Sequence, residues 1–212
     1  MSWRKFRWVK DGTFFHICNR GVLKKPIFLD DFDYGICEEI LSESLEKYQI
    51  PIYAYCLMPN HWHLLVKAVT MGDLCRMLHR FSSVHAKTVR RKQQNEGIGA
   101  VYQGRYRAHP VQENETLFRV KTYIEENPCK AGLCSKPQEW RWTHAHPKSQ
   151  HHIRLTPLPS VRGTHLTAGT NPSWQEKIES ALFAQRPLGD VFWKNSFLPT
   201  SQQTRTLEKL AA

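Results

Sequence analysis

The sequence predicts an α+β fold: a ferredoxin-like (RRM-like) antiparallel sheet with helices packed on one face, followed by a C-terminal extension. Three observations carry this. Strand-prone and helix-periodic segments alternate in the order β-α-β-β-α-β-α, which a ferredoxin-like sandwich accommodates. Two apolar β-prone runs flank a single tight break, Met58-Pro59-Asn60. The remaining order leaves one long amphipathic helix before the last strand and one after it.

Each element has a local reason. Residues 13–19 (TFFHICN) are rich in strand formers and end at the turn signal Asn19-Arg20-Gly21. Residues 30–48 read as a helix capped by Asp30 or Asp31, with Phe32, Ile36, Ile40, Leu41 and Leu45 at helical spacing. Residues 50–69 (IPIYAYCLMPNHWHLLVKAV) read as strand, break, strand. Residues 72–94 return to helical period, with Leu74, Met77, Leu78, Phe81 and Val84 inward. Arg76, Arg80, Lys87, Arg90, Arg91 and Lys92 form its basic exposed side. Residues 96–112 open with glycines and turn β-like. Residues 114–127 form a helix capped by Asn114 and stopped by Pro128. From 146 to 172 Pro, His, Ser and Thr accumulate, which is linker composition. A short helix from Ser173 to Gln185 opens a mixed tail, 173–208, and 209–212 (KLAA) resembles a vector-encoded scar.

The chain has 212 residues, with 30 Lys and Arg against 19 Asp and Glu, a formal net charge of +11. This balance points to a polyanionic partner, nucleic acid above all. No apolar run approaches the ~18 residues of a membrane helix, so no membrane partner is expected. The start, MSWRKFRWVKDG, has no signal-peptide core, which predicts a cytoplasmic, nucleoid-associated protein. Six cysteines without a Cys-x-x-Cys pair imply reduced thiols rather than a disulfide framework.

Three groups of residues could carry chemistry. His61 and His63 flank Trp62 on a strand, so both imidazoles share one face and can converge on one ion. Imidazole suits Zn, Mn, Fe, Ni or Cu, and with oxygen ligands it can hold Mg or Mn. Trp62 and Leu64 would face the core. Tyr123 and Asn127 lie four apart on one helix face. A tyrosine hydroxyl becomes a nucleophile once a cation or base favours its anion, and an asparagine carbonyl is a hard oxygen donor. Finally, the run Tyr102-Gln103-Gly104-Arg105-Tyr106-Arg107 alternates arginine with aromatic rings, a pattern that suits phosphate contact and base stacking. Arg20 and the basic helix with Arg80 would extend that surface. Each group alone also fits ordinary structure: a solvated strand face, a half-buried tyrosine, a basic surface.

Together these stretches resemble the REP-associated tyrosine transposases, a branch of the single-tyrosine HUH endonucleases. The matching segments are FFHICNRG (14–21), PIFLDDFDY (26–34), AYCLMPNHWHLLV (54–66), VYQGRY (101–106) and YIEENPCKAGL (123–133). They cover about 1–145, the expected catalytic domain. RPLGDVFW (186–193) is similar, more weakly, to that family's C-terminal extension. The resemblance implies that His61, His63 and Asn127 bind a divalent ion, Mg2+ or Mn2+, and that Tyr123 is the nucleophile. It implies a partner in single-stranded or hairpin DNA of the REP type, cut beside the hairpin through a 5′-phosphotyrosine bond. Arg20, Arg80, Arg105, Arg107 and Lys130 are the expected DNA contacts. Cys129 and Lys130 stand where relatives often have Val and Arg. No Walker loop suggests a nucleotide cofactor, and the branch implies a monomer, with a helix-exchanging dimer as the alternative. The competing reading is a hairpin-binding protein that does not cut. A structural zinc protein is disfavoured, because no thiolate-rich closed ligand set occurs.

Overall fold

The computed structural model describes residues 9–93, 99–147, 153–160, 172–184, 186–190 and 194. The elements run β1 (Phe14–Arg20), α1 (Asp31–Lys47), β2 (Ile52–Met58), β3 (His61–Lys67), α2 (Met71–Lys92), β4 (Arg107–Val111), α3 (Glu115–Lys130) and α4 (Pro172–Ala184), with short 3-10 turns at Val22–Lys24 and Pro137–Glu139. Four strands form one sheet in the order β2-β3-β1-β4, every neighbouring pair antiparallel. This is the expected α+β, ferredoxin-like arrangement.

Alternation along the strands sorts the sheet into two faces. Phe15, Ile17, Tyr55, Leu57, Trp62, Leu64 and Val66 pack with Tyr34, Cys37, Ile40 and Leu41 of α1 and Leu74, Met77, Leu78 and Phe81 of α2. Each of the largest fully buried side chains here contributes about 1.5–3 kcal/mol by leaving water. The two helices on one face are therefore α1 and α2. The other face is covered as well: Phe14, Ala54, Cys56, Met58, Leu65 and Val111 pack with Leu117, Val120, Tyr123 and Ile124 of α3.

Several local expectations shift. Asp30 caps α1 by accepting from the Asp33 amide at 3.1 Å. Phe32 is 68% exposed, because α1 turns Tyr34, Cys37 and Glu38 inward instead. His85, on the α2 stripe after Phe81, is buried. Pro128 does not stop α3, which runs on to Lys130. A proline loses only its own N–H bond to residue i−4, and the chain stays helical if the turn beyond is well capped. Here Gly132, at φ +70°, closes a Schellman motif: Leu133 N–H donates to the Pro128 carbonyl (2.9 Å) and Gly132 N–H to that of Cys129 (3.0 Å).

The expected linker is docked in part. Ile153 is 2% exposed, and the Thr156 amide donates to the Ile52 carbonyl (2.7 Å) at the β2 edge. An edge strand has unpaired backbone groups to satisfy, and this segment satisfies one. At the opposite edge Leu188 bridges Val111 and donates to the Pro110 carbonyl (2.7 Å). α4 lies beside α3, with Ile178 fully buried and Gln175 donating to Glu126 at 3.1 Å. Gln185 and 209–212 lie outside the described residues. No helix among the described residues is long and apolar enough to cross a membrane.

Candidate active site

The strand alternation that buries Trp62 and Leu64 under α1 and α2 sends His61 and His63 to the α3 face. The sheet register sets His61 across from Arg20 and Met58, and His63 across from Cys18 and Cys56. From above, α3 lowers Tyr123 onto the same spot. Its ring meets the His63 ring edge-on, centroids 6.0 Å apart. Asn127 follows one turn later. One cavity of about 980 Å³ is lined by Arg20, His61, His63, Arg105, Arg107, Tyr123, Asn127 and Lys130 among others. Eight of the nine expected site residues thus meet in one place.

The ninth does not. Arg80 projects from α2, on the other side of the sheet, and pairs with Glu43 of α1 at 2.6 Å. Much of that basic helix is engaged in the same way, Arg76 with Asp73 and Lys92 with Asp30 and Asp33. The alternating arginine run fares better. Gln103 N–H donates to the Arg20 carbonyl (2.9 Å) and Tyr102 bridges Gly21, which ties the loop to the end of β1. Tyr102 itself turns away. Its hydroxyl accepts from Trp62 Nε1 (3.0 Å) and contacts His85 Nδ1 (2.6 Å) inside the α1–α2 core. It is not available as a nucleophile.

Hydrogen bonds orient the two imidazoles. Asn60 Nδ2 donates to the Lys24 carbonyl (3.0 Å), which turns Asn60 Oδ1 to His61 Nδ1 (2.6 Å). His61 Nδ1 is therefore the protonated nitrogen, and Nε2 keeps its lone pair. The loop that supplies Lys24 leaves no room beside Gly21, where a Cβ would sit 2.3 Å from the Lys25 carbonyl oxygen. His63 Nδ1 lies 2.9 Å from His16 Nε2 of β1. Burial, then Arg20, holds His61 down at about 4. Burial, then His61, holds His63 well below its ordinary value. Both imidazoles are neutral at neutral pH, the form that can coordinate an ion. Tyr123 is pushed up by burial, then by Glu179 and Cys18, and opposed by Asn127 and Arg20.

The donor set fits a divalent ion. His61 and His63 line one cavity with the Nδ1 of each in a hydrogen-bond contact, which leaves each Nε2 for an ion, and the Asn127 amide nitrogen donates to the Tyr123 carbonyl (2.7 Å), which leaves Oδ1 as an oxygen donor. Among the described residues no three His, Cys, Asp or Glu side chains gather as a closed metal cluster. A two-histidine, one-amide set leaves positions open, as a catalytic rather than a structural ion requires.

Sequence reasoning missed His16, His109, Glu176, Glu179 and Ser180. The strand period could have found His16, since it shares parity with Cys18 and Arg20. The α4 residues carried no local signal, because the reach of a tail is set by its docking.

A family model described as "Transposase IS200 like" matches residues 11–127, more than half of the chain. The chain belongs to the IS200-like transposases. A Haemophilus influenzae protein named as a REP-associated tyrosine transposase is 22% identical over 113 residues, which cover 50% of this chain and 64% of that protein. The chain thus spans just under two thirds of this curated relative. A solved structure of a REP-associated tyrosine transposase bound to a REP hairpin superposes with a TM-score of 0.51 at 17% identity, covering 77% of this chain and 93% of that one. The likeness places this IS200-like transposase in that fold, and both of these relatives carry the name of the REP-associated branch that the motifs resemble.

Proposed function

We propose that this protein is a metal-dependent, single-stranded DNA endonuclease and strand transferase that acts beside REP-type hairpins, with Tyr123 as its nucleophile. One observation carries the reading: Tyr123, His61, His63, Asn127 and four cationic side chains line the same cavity, though they come from separate parts of the chain. A pure binding surface has no need of a neutral histidine pair beneath a tyrosine.

The chain's own groups divide the work. Arg20, Arg105, Arg107 and Lys130 hold backbone phosphates, and the +11 charge steers the DNA in. His61, His63 and Asn127 would hold Mg2+ or Mn2+, which when bound polarises the scissile phosphate and offsets its growing charge. The Tyr123 oxygen attacks phosphorus. A tyrosine–phosphorus bond forms, the bond from phosphorus to the 3′ oxygen breaks, and the phenolic proton is replaced on the leaving 3′-hydroxyl. The 5′-phosphotyrosine keeps the energy of the phosphodiester, so a second 3′-hydroxyl can reverse the step without a nucleotide cofactor.

The test is a denaturing gel of the protein with labelled hairpin DNA and manganese. Wild type should give a slower, detergent-resistant band, and Tyr123→Phe none. The hairpin-binding reading draws on one observation, that Tyr123 is only 5% exposed beneath α4. It gains if wild type forms no adduct with any hairpin that it binds tightly.

A further inference from the structure

His16 has no role in the function proposed above. It sits in the middle of β1, fully buried, on the strand face that carries Cys18 and Arg20. Its ring lies edge to edge with that of His63, centroids 5.1 Å apart and planes 7° from parallel. Its Nε2 meets His63 Nδ1 at 2.9 Å, and its own Nδ1 has no hydrogen-bond partner. Its ring also meets Tyr123 edge-on at 6.0 Å, the same separation that His63 keeps. The tyrosine therefore stands on a side-by-side pair of imidazoles, not on one.

We propose that His16 is a positioning residue: it fixes His63 in the tautomer that presents Nε2 to the ion and completes the platform under the Tyr123 ring. The inference rests on the reading of His61 and His63 as ligands. A hydrogen bond between two neutral imidazoles has one donor and one acceptor. If His63 Nδ1 donates, its Nε2 lone pair points into the cavity and His16 accepts through Nε2. The His16 proton then sits on Nδ1, the atom without a partner. The opposite assignment removes that unpaired N–H but places the His63 proton where an ion would bind, so only the first leaves His63 free to ligate. Leaving a buried N–H unpaired is costly. A polar group kept there, where an apolar side chain would pack without cost, points to a task beyond packing. Partners of this kind orient ligating histidines, and their loss typically weakens metal affinity 10- to 100-fold.

The experiment compares wild type with His16→Leu and His16→Gln in the full chain. Leucine fills the site without an acceptor. Glutamine reaches the same point with an amide oxygen. Mn2+ affinity is read by electron paramagnetic resonance, without DNA and without turnover. A nitrogen-15 correlation spectrum of the imidazoles, free of metal, reads the His63 tautomer. His16→Leu should bind Mn2+ at least tenfold more weakly and show His63 with a mixed or Nε2–H tautomer. His16→Gln should regain most of both, and hairpin affinity should stay within twofold throughout. Wild-type Mn2+ affinity and an unchanged His63 signal in folded His16→Leu would overturn the positioning role while leaving the ligand reading intact. Wild type that binds no Mn2+ would overturn the ligand reading and this inference with it.

Discussion

Lys130 holds its ammonium 4.5 Å from the centre of the Tyr123 ring, two helical turns along α3. The contact exists because α3 continues through Pro128. Burial raises Tyr123, so the phenol resists ionisation, and a cation over the ring favours the charge that forms during attack. Lys130 also contacts Glu126 at 3.6 Å, which steadies it.

Lys130→Met keeps the aliphatic stem and removes the charge. Adduct formation on hairpin DNA should slow about tenfold, equivalent to about 1.4 kcal/mol at the barrier. Burial holds Tyr123 above its ordinary range, so between pH 7 and pH 9 the anionic fraction of both proteins grows in parallel and the deficit should stay constant. A pH–rate series on both proteins checks this. A loss of hairpin affinity that matches the slower adduct would assign Lys130 to phosphate binding alone.

The positions of the arginines predict a split in DNA affinity. Arg105 and Arg107 line the cavity, whereas Arg80 is spent on Glu43 behind the sheet. Arg105→Ala and Arg107→Ala should each weaken hairpin binding and lower the salt slope by about 1, as expected for one lost phosphate contact. Arg80→Ala should match wild type within twofold. Filter binding across a salt series measures all three, and a large Arg80 effect would place DNA on the α1–α2 side.

Acid should destabilise the fold through its buried histidines. Burial holds His85 at about 4 against an ordinary 6.5. Between these values the unfolded chain takes up a proton that the folded chain refuses, so stability is full above pH 6.5 and falls as the pH drops. His85 alone then costs about 2 kcal/mol at pH 5 relative to pH 7.5. Urea denaturation at the two pH values should show the loss, and His85→Gln should remove about that much of it. An equal pH dependence in His85→Gln would mean that His85 is not the group refusing the proton.

Most of the sheet and the two-histidine face were legible in the sequence, and the reasons are geometric. A strand period of two and the two-residue break at Pro59-Asn60 leave one register for His61 and His63, because slipping it would take Trp62 and Leu64 out of the α1–α2 core. A helical spacing of four did the same for Tyr123 and Asn127. What escaped depends on partners distant in sequence. Arg80 reads as DNA-binding until Glu43 is placed beside it. Pro128 reads as a stop until Gly132 is seen to cap the turn beyond. Phe32 reads as core until Tyr34 and Cys37 take the inward face of α1. His16 carries no motif of its own and gains meaning only from the ring it touches across the sheet.

The last prediction concerns α4. Glu176 and Glu179 line a cavity whose other charged groups are mainly arginines and a lysine, and Glu179 is among the groups that raise Tyr123. Carboxylates at that place repel a phosphate backbone and oppose the phenolate. Glu176→Gln with Glu179→Gln keeps shape and hydrogen-bonding capacity while removing two negative charges. Hairpin affinity at low salt should rise several-fold, since each like-charge contact relieved is worth a few tenths to 1 kcal/mol at a half-exposed site. The gain should shrink as salt is added, because exposed charges are screened over about 10 Å at 0.1 M. Adduct formation should rise further than affinity, because the substitution at Glu179 also eases ionisation of Tyr123. Binding isotherms at two salt concentrations and a single-turnover adduct assay separate the two effects. Unchanged affinity in the double variant would mean that DNA enters without meeting α4, from the side of Arg105 and Arg107. A faster adduct with unchanged affinity would confine the influence of Glu179 to the phenol.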